Sequence, residues 1–329
     1  MSTPLSKRAL EALLSRMDAG DSDRVVRGDG DIESILRTVT SSRWRRSSLS
    51  ALSASDTRRK VEDALRARRP LTFSIPFGGY KSWRIESSPL PNWAEIFFLD
   101  HLRSYLRDIS STYPYGVRAE FTYLSNVMDL VSNHEPTWQA QYVQALRELL
   151  RYMADEPEQL SVVDITSLHP EVAVRDAVLA NFEQVRHEWS GNLDAVQQSK
   201  LVSANRNFYP GGPRPVVDGE LEARELESAM LCDALDSLDI RRAYNKFGHR
   251  IQLVFGNTPQ PAIHIATTKM STTHFWVSEG CLEWNGKDFY PTMVGHTALP
   301  RRGEMLEVPD VASFRSKIGE WVPAACEVR

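Results

Sequence analysis

Cysteine is scarce: Cys232, Cys281 and Cys326 are the only three in 329 residues, and no two form a CxxC pair. A disulfide framework or a zinc knuckle needs paired or closely spaced thiols, so neither is suggested. Long apolar runs are also missing. None reaches the length of a membrane-spanning helix, and Met1 to Lys7 is not followed by the apolar core of a signal peptide. The expected location is therefore cytoplasmic. There is no excess of positive charge either, with a net charge of -4 and a pI near 6.1, which argues against nucleic acid or an anionic membrane as the main partner. The chain has neither a GxxxxGKS loop nor a GxGxxG fingerprint, so its Gly78-Gly79 pair does not mark a nucleotide site.

What is present describes an ordinary globular protein: 42% hydrophobic and 25% charged residues, enough chain for a large core. Segments of helical period alternate with segments of period two as far as residue 190. That alternation predicts an α/β protein with a Rossmann-like sheet flanked by helices. A helix is expected over 4–18 and a second from Ile32 to Val39, followed by the basic loop Arg43-Trp44-Arg45-Arg46. Asp56 to Ala67 reads as a helix with Val61 and Leu65 inward, and Leu71, Phe73 and Ile75 then alternate with polar residues as in a half-buried strand. Further strands are expected at Val117–Leu124 and Leu160–Ile165, and helices from Trp93, Pro136, His169, Leu193 and Glu220. Beyond residue 209 the texture becomes β-rich. Strands are expected at Arg250–Phe255, Ala262–Thr267 and His274–Ser278, with a hairpin around Asn285-Gly286 and a last helix at Val311–Trp321. The organisation that follows is an N-terminal helical segment over 1–55, an α/β core over 56–208, and an α+β part over 209–329 that completes the catalytic domain as a β-rich C-terminal extension.

The stretch from Leu71 to Glu95 carries the strongest functional signal. A strand ends at Pro76-Phe77, turns through Gly78-Gly79, presents Tyr80-Lys81-Ser82, and leads into a helix capped by Asn92. In an open α/β sheet, ligands bind beyond the carboxyl ends of the strands, where the loops after Phe77 and Leu124 would both emerge. Lys81 can supply a point charge to a phosphate or carboxylate, or act on a carbonyl if burial lowers its pKa; it can also be a surface lysine whose stem covers Trp83. Glu95, three residues after Asn92, fits a capping box as well as it fits catalysis. Arg43, Arg45 and Arg46 can fork onto anionic oxygens or form a solvated loop. His249, His264, His274 and His296 all fall in the last third, but without an HExxH pair, so a metal-dependent enzyme is an alternative resting on their proximity alone. Cys281 is a conceivable nucleophile. A non-catalytic small-molecule binding protein is the other alternative.

In order, these segments resemble the isocyanide (isonitrile) synthase family of the pyoverdine and dityrosine biosynthesis type. Ile35-Leu36-Arg37 and the Arg43-to-Arg46 loop match an early ILR-like helix and its arginines. Ile75 to Ser82 matches a strand ending like LPAFPAKS, Leu90 to Glu95 an LPD-x-AE pattern, and Ile109 to Gly116 a tyrosine and Pro-Gly turn. Ser125 to Asp129 stands where family members have a DG-x-VF-x-D-like loop, and Phe247 to Leu253 matches a later strand. The likeness runs over about residues 31 to 280, with its specific part between Lys81 and Glu95. It departs at the missing aspartate-glycine pair and at Thr273-His274-Phe275-Trp276, where the family has a TPWH-like end.

The resemblance implies an enzyme of specialised (secondary) metabolite biosynthesis, a transferase in which an amino acid's α-amine condenses with the ketone of ribulose 5-phosphate and fragmentation leaves one carbon on nitrogen. It implies no metal or organic cofactor, and a possible downstream oxygenase of the same pathway. Lys81, Arg43, Arg46 and Arg250 are then the candidate anion clamps. Glu95, Asp129 and His274, with Lys81, are the candidate catalytic groups. Tyr80 and Tyr113 are possible proton donors, with Ser82 beside them, and Trp83 and Trp276 would shape a side-chain pocket.

Overall fold

A computed structural model describes residues 31–81, 90–125, 127–131, 136–168, 171–208, 219–254, 260–265, 275–284, 289–294, 305–306 and 325–326. The expected helices over 4–18 and Val311–Trp321, together with the Tyr209–Pro215 break, lie outside these residues.

Five strands form one parallel sheet in the order β3-β2-β1-β4-β5. They are β1 (Leu71–Pro76), β2 (Val117–Tyr123), β3 (Leu160–Asp164), β4 (Ile251–Val254) and β5 (Ile263–His264). The expected α/β sheet is thus present. Its order reverses between β1 and β4, the position where such sheets open a crevice beyond their carboxyl ends. Before β1 come α1 (Ile32–Val39), capped by the Asp31 carboxylate on Ser34 N, and α2 (Ala51–Arg66), capped by Ser50 on Ser53 N. The serine cap explains why α2 begins five residues earlier than its apolar pattern suggests.

The connections that cover the sheet are α3 (Trp93–Ser110) after β1 and α5 (Pro136–Met153) after β2, with the short α4 (Met128–Val131) ahead of α5. From α3, Phe98, Leu102, Tyr105 and Leu106 pack with Phe73 and Phe121 of the sheet and with Tyr142 and Leu146 of α5 in one core. Helices on both sides also bury Ser74, so β1 is not the half-buried strand its alternation suggests but an interior one covered on both faces.

A second core lies among α6 (Glu171–Glu188), α7 (Ala195–Phe208) and α8 (Gly219–Asp236), built on Val174, Val178, Trp189, Ala229 and Ala234. It meets the first through α4, where Ser228 Oγ donates to the Val131 carbonyl at 2.7 Å. A helix not among the expected elements, α9 (Ile240–Phe247), then leads to β4.

Of the strand expected over His274–Ser278, the described part is different: Phe275–Val277 is a single 3-10 turn. The expected hairpin is present as β6 (Glu279–Trp284) against β7 (Phe289–Val294), and β8 (Met305–Leu306) pairs with β9 (Ala325–Cys326). Most of the expected β-rich extension falls outside the described residues. Among the described residues no helix is long and apolar enough to cross a membrane.

Candidate functional site

The turn after β1 is built on two glycines with different duties. A Cβ on Gly78 would lie 2.3 Å from the Tyr80 ring, which folds back over it. Gly79 has φ +75 and would drive a Cβ to 2.6 Å from Tyr123, so a side chain there meets both strain and a clash. The turn delivers Lys81 to the interior. Its Nζ donates to Glu95 Oε1 and Oε2 at 2.8 and 2.9 Å, to the Phe275 carbonyl at 2.8 Å and to the Ser278 carbonyl at 2.7 Å. Both side chains of the pair are 0% exposed.

Glu95 is equally occupied. Oε2 accepts from Asn92 N at 2.8 Å, completing the capping box, and Oε1 accepts from the Tyr142 hydroxyl at 2.8 Å. Burial pushes its carboxyl up, while Lys81, the Asn92 amide and Tyr142 pull it down. Asn92 Oδ1 accepts from Ala94 N at 2.9 Å and from Gly280 N at 3.1 Å, so the cap also fastens β6 to the start of α3. An ammonium has three protons, and here four oxygens share them. In this arrangement Lys81 has no donor to offer an anion. It ties the β1 turn, α3 and the 275–278 turn together, a structural role in place of the expected anion clamp, and Glu95 is its partner rather than an exposed acid or base.

Tyr80 and Trp276, two of the expected substrate-binding residues, each lie one residue away from this tie. Phe275 stacks on Phe98, with ring centroids 5.0 Å apart, and Phe77 sits 6.3 Å from Trp276. This packing holds half-buried Trp276 over the turn, where it hydrogen-bonds the hydroxyl of Tyr80. Tyr80 is 3% exposed, and burial holds its phenol protonated far above neutral pH. Cys232 of α8 and Arg241 of α9 act on it electrostatically, and Asp236 of α8 acts in turn on Arg241. Cys232 donates through Sγ to the Val131 carbonyl, and burial with Asp236 and Asp233 pushes its thiol up to about 12, so it is not a thiolate nucleophile at neutral pH. Asp236 is exposed, and burial still raises its carboxyl; Arg241 is partly exposed, and burial lowers its guanidinium while Asp236 opposes this. Asp236 and Arg241 thus carry their charges at the turn between α8 and α9, on the side of Tyr80. Sequence reasoning missed Arg241 because it did not recognise α9, although Ile240, Ala243, Tyr244 and Phe247 recur at helical spacing and Ile240 and Tyr244 pack on the second core.

The remaining expected residues separate. Arg250 precedes β4, whose register places Ile251 beside Phe73, so it sits about 16 Å along the strand from Phe77, toward the opposite edge of the sheet. There it pairs with Glu120, lies 3.8 Å from the Tyr244 ring centroid, and shares Glu120 with the Tyr244 hydroxyl. Tyr113 is at that edge too, donating to the Arg69 carbonyl at 2.5 Å. Neither reaches the crevice. Arg43 is spread over Trp44 and paired with Asp108 at 3.3 Å in the open. Arg46 is exposed at the end of β5, where its backbone amide donates to the His264 carbonyl. Asp129 pairs with Arg175 at 2.8 Å on α4, close to Val131 but in solvent. Ser82, Trp83 and His274 lie outside the described residues, as does the side chain of Cys281. Among the described residues, no group of three or more His, Cys, Asp or Glu is arranged to hold a metal ion.

An α/β fold with a five-stranded parallel sheet, and a buried Lys81–Glu95 pair beyond the carboxyl end of β1, is the class these observations define. No family model and no curated protein matches the sequence. Solved structures do match: the PvcA protein from Pseudomonas aeruginosa superposes with a TM-score of 0.62 at 14% identity, over 84% of this chain and 96% of that one. At that identity the likeness establishes the shared fold, and it is the fold that the motif resemblance implies.

Proposed function

We propose that this protein is a biosynthetic enzyme of the isocyanide synthase type, acting on an amino acid and ribulose 5-phosphate. The observation that carries the reading is the agreement of two separate likenesses: the Lys81-Ser82 and Pro91-to-Glu95 pattern, and the fold shared with PvcA, a pyoverdine-pathway isonitrile synthase. In such a reaction the α-amine adds to the ketone carbon and water leaves to give an imine; one carbon neighbour then departs as an aldehyde, giving up its hydroxyl proton, and the other departs with its bonding pair and takes a proton, so the former ketone carbon stays on nitrogen as the isonitrile with no external oxidant or reductant. The protein's part is to hold the two reactants together, exclude bulk water and supply a proton to the departing oxygen. Tyr80, a buried phenol that keeps its proton, suits the last task, with Trp276 fixing its hydroxyl. The Lys81–Glu95 pair keeps the Tyr80 turn and the Trp276 turn in register. The product would pass to an oxygenase of the same cytoplasmic pathway.

The reading is tested by incubating the purified protein with ribulose 5-phosphate and a panel of amino acids. Sugar phosphate should disappear only when the right amine is present, with an isonitrile detected by mass spectrometry. Binding of an amino acid without consumption of sugar phosphate would favour a binding protein instead.

A further inference from the structure

Among the described residues, two charges of opposite sign near the Tyr80 turn have no ion-pair partner: Arg241, which acts on Tyr80, and Asp236 beside it. The carboxylates nearby are otherwise occupied: Asp233 is held by Lys200 and by Trp189 Nε1 at 3.0 Å, and Asp239 by Arg242 at 3.3 Å. Asp236 and Arg241 remain. They bracket the turn between α8 and α9, where Asp239 adopts a left-handed φ of 51, and each feels the other's charge. Yet they form no ion pair, and among the described residues neither side chain has a hydrogen-bond partner. The Arg241 Nε is buried and unsatisfied. An arginine that is packed beside a carboxylate and does not close onto it leaves two groups that together await a ligand.

We propose that Arg241 and Asp236 form the amino-acid subsite, Arg241 taking the substrate's α-carboxylate and Asp236 its α-ammonium, with Tyr80 and Trp276 as the aromatic wall. The charge balance selects this ligand over the sugar phosphate. One cation and one anion complement a zwitterion, whereas a phosphate dianion would face Asp236 with Asp233 and Asp239 behind it. A guanidinium also matches the planar carboxylate through two parallel hydrogen bonds. The assignment rests on the isocyanide synthase reading, because it names which of that reaction's two substrates binds here.

Isothermal titration of the twenty proteinogenic L-amino acids, the decarboxylated amine of the tightest binder, and ribulose 5-phosphate tests it. Arg241→Gln should weaken the amino acid about ten- to a hundredfold, the worth of a charge-assisted pair, and abolish its preference over the amine. Arg241→Lys should lose less, and Asp236→Asn should weaken amino acid and amine alike. Both glutamine and asparagine variants should keep the wild-type affinity for ribulose 5-phosphate, which also shows that they are folded. The proposal is overturned if the wild type binds no amino acid, or if Arg241→Gln costs sugar-phosphate affinity and spares the amino acid. Should the variants behave as expected while no isonitrile is formed, the subsite stands and the reaction falls. An isonitrile formed by Arg241→Gln with an unchanged KM for the amino acid does the reverse.

Discussion

Replacing Lys81 by methionine separates a structural lysine from a catalytic one. The substitution keeps most of the stem's volume and removes four hydrogen bonds at 2.7 to 2.9 Å. It leaves the Phe275 and Ser278 carbonyls unpaired and Glu95 as a buried charge supported only by Asn92 N and the Tyr142 hydroxyl. Breaking a fully buried pair from one side costs about 3–5 kcal/mol, most of it the uncompensated charge. The pH dependence has a definite sign. Burial already raises the Glu95 carboxyl, and without Lys81 nothing positive opposes that rise. An acid whose folded pKa lies above its unfolded value favours folding when protonated and loses that advantage as pH rises through the interval between them. The deficit of Lys81→Met should therefore be largest at neutral pH and shrink as the pH falls toward the ordinary glutamate range. Urea unfolding followed by tryptophan fluorescence from pH 5 to 8 measures this, and adding Glu95→Gln should recover part of the loss. A Lys81→Met protein within about 1 kcal/mol of wild type at pH 7, yet without turnover, would refute the structural assignment.

Further tests address other parts of the frame. Burial pulls the His101 ring, set edge-on to Trp44, down to about 4. Its contribution is complete above pH 6.5 and is lost as pH falls toward 4, at most about 3 kcal/mol, so His101→Phe should flatten stability over that interval in thermal melts. Gly280→Ala would place a Cβ 2.2 Å from Ala94 N; a loss of about 1–3 kcal/mol in urea unfolding is expected from the forced separation of β6 and α3. Arg250→Met should cost about 2 kcal/mol of stability through Glu120 and leave ribulose 5-phosphate affinity unchanged in titration calorimetry.

Much of the sheet was legible because its signals are local. Leu71, Phe73 and Ile75 alternate, Asn92 and Glu95 spell out a capping box three residues apart, and the 3.6-residue stripes of α3 and α5 face the core as expected. The partners that decide a side chain's role are not local. Lys81 is claimed by Glu95 and by two carbonyls almost 200 positions later, so the sequence could not distinguish a clamp from a tie. Arg250 and Tyr113 were misplaced for a simpler reason: each precedes its strand, and in a parallel sheet the crevice lies after the strands. Arg241 sits on a short helix ending in Phe247, which is 81% exposed. The Arg241 guanidinium interacts with Asp236 and Cys232 of α8 and with Tyr80 about 160 positions earlier, partners that no local pattern announces.

The central claim is that the ketone carbon of ribulose 5-phosphate is transferred to an amino acid's nitrogen. Ribulose 5-phosphate labelled with carbon-13 at that carbon, incubated with the purified protein and the amino acid it binds, provides the direct measurement. The account predicts a product whose isonitrile carbon carries the label and whose formation requires both substrates. Sugar phosphate recovered unchanged in the presence of every amino acid tested would contradict it.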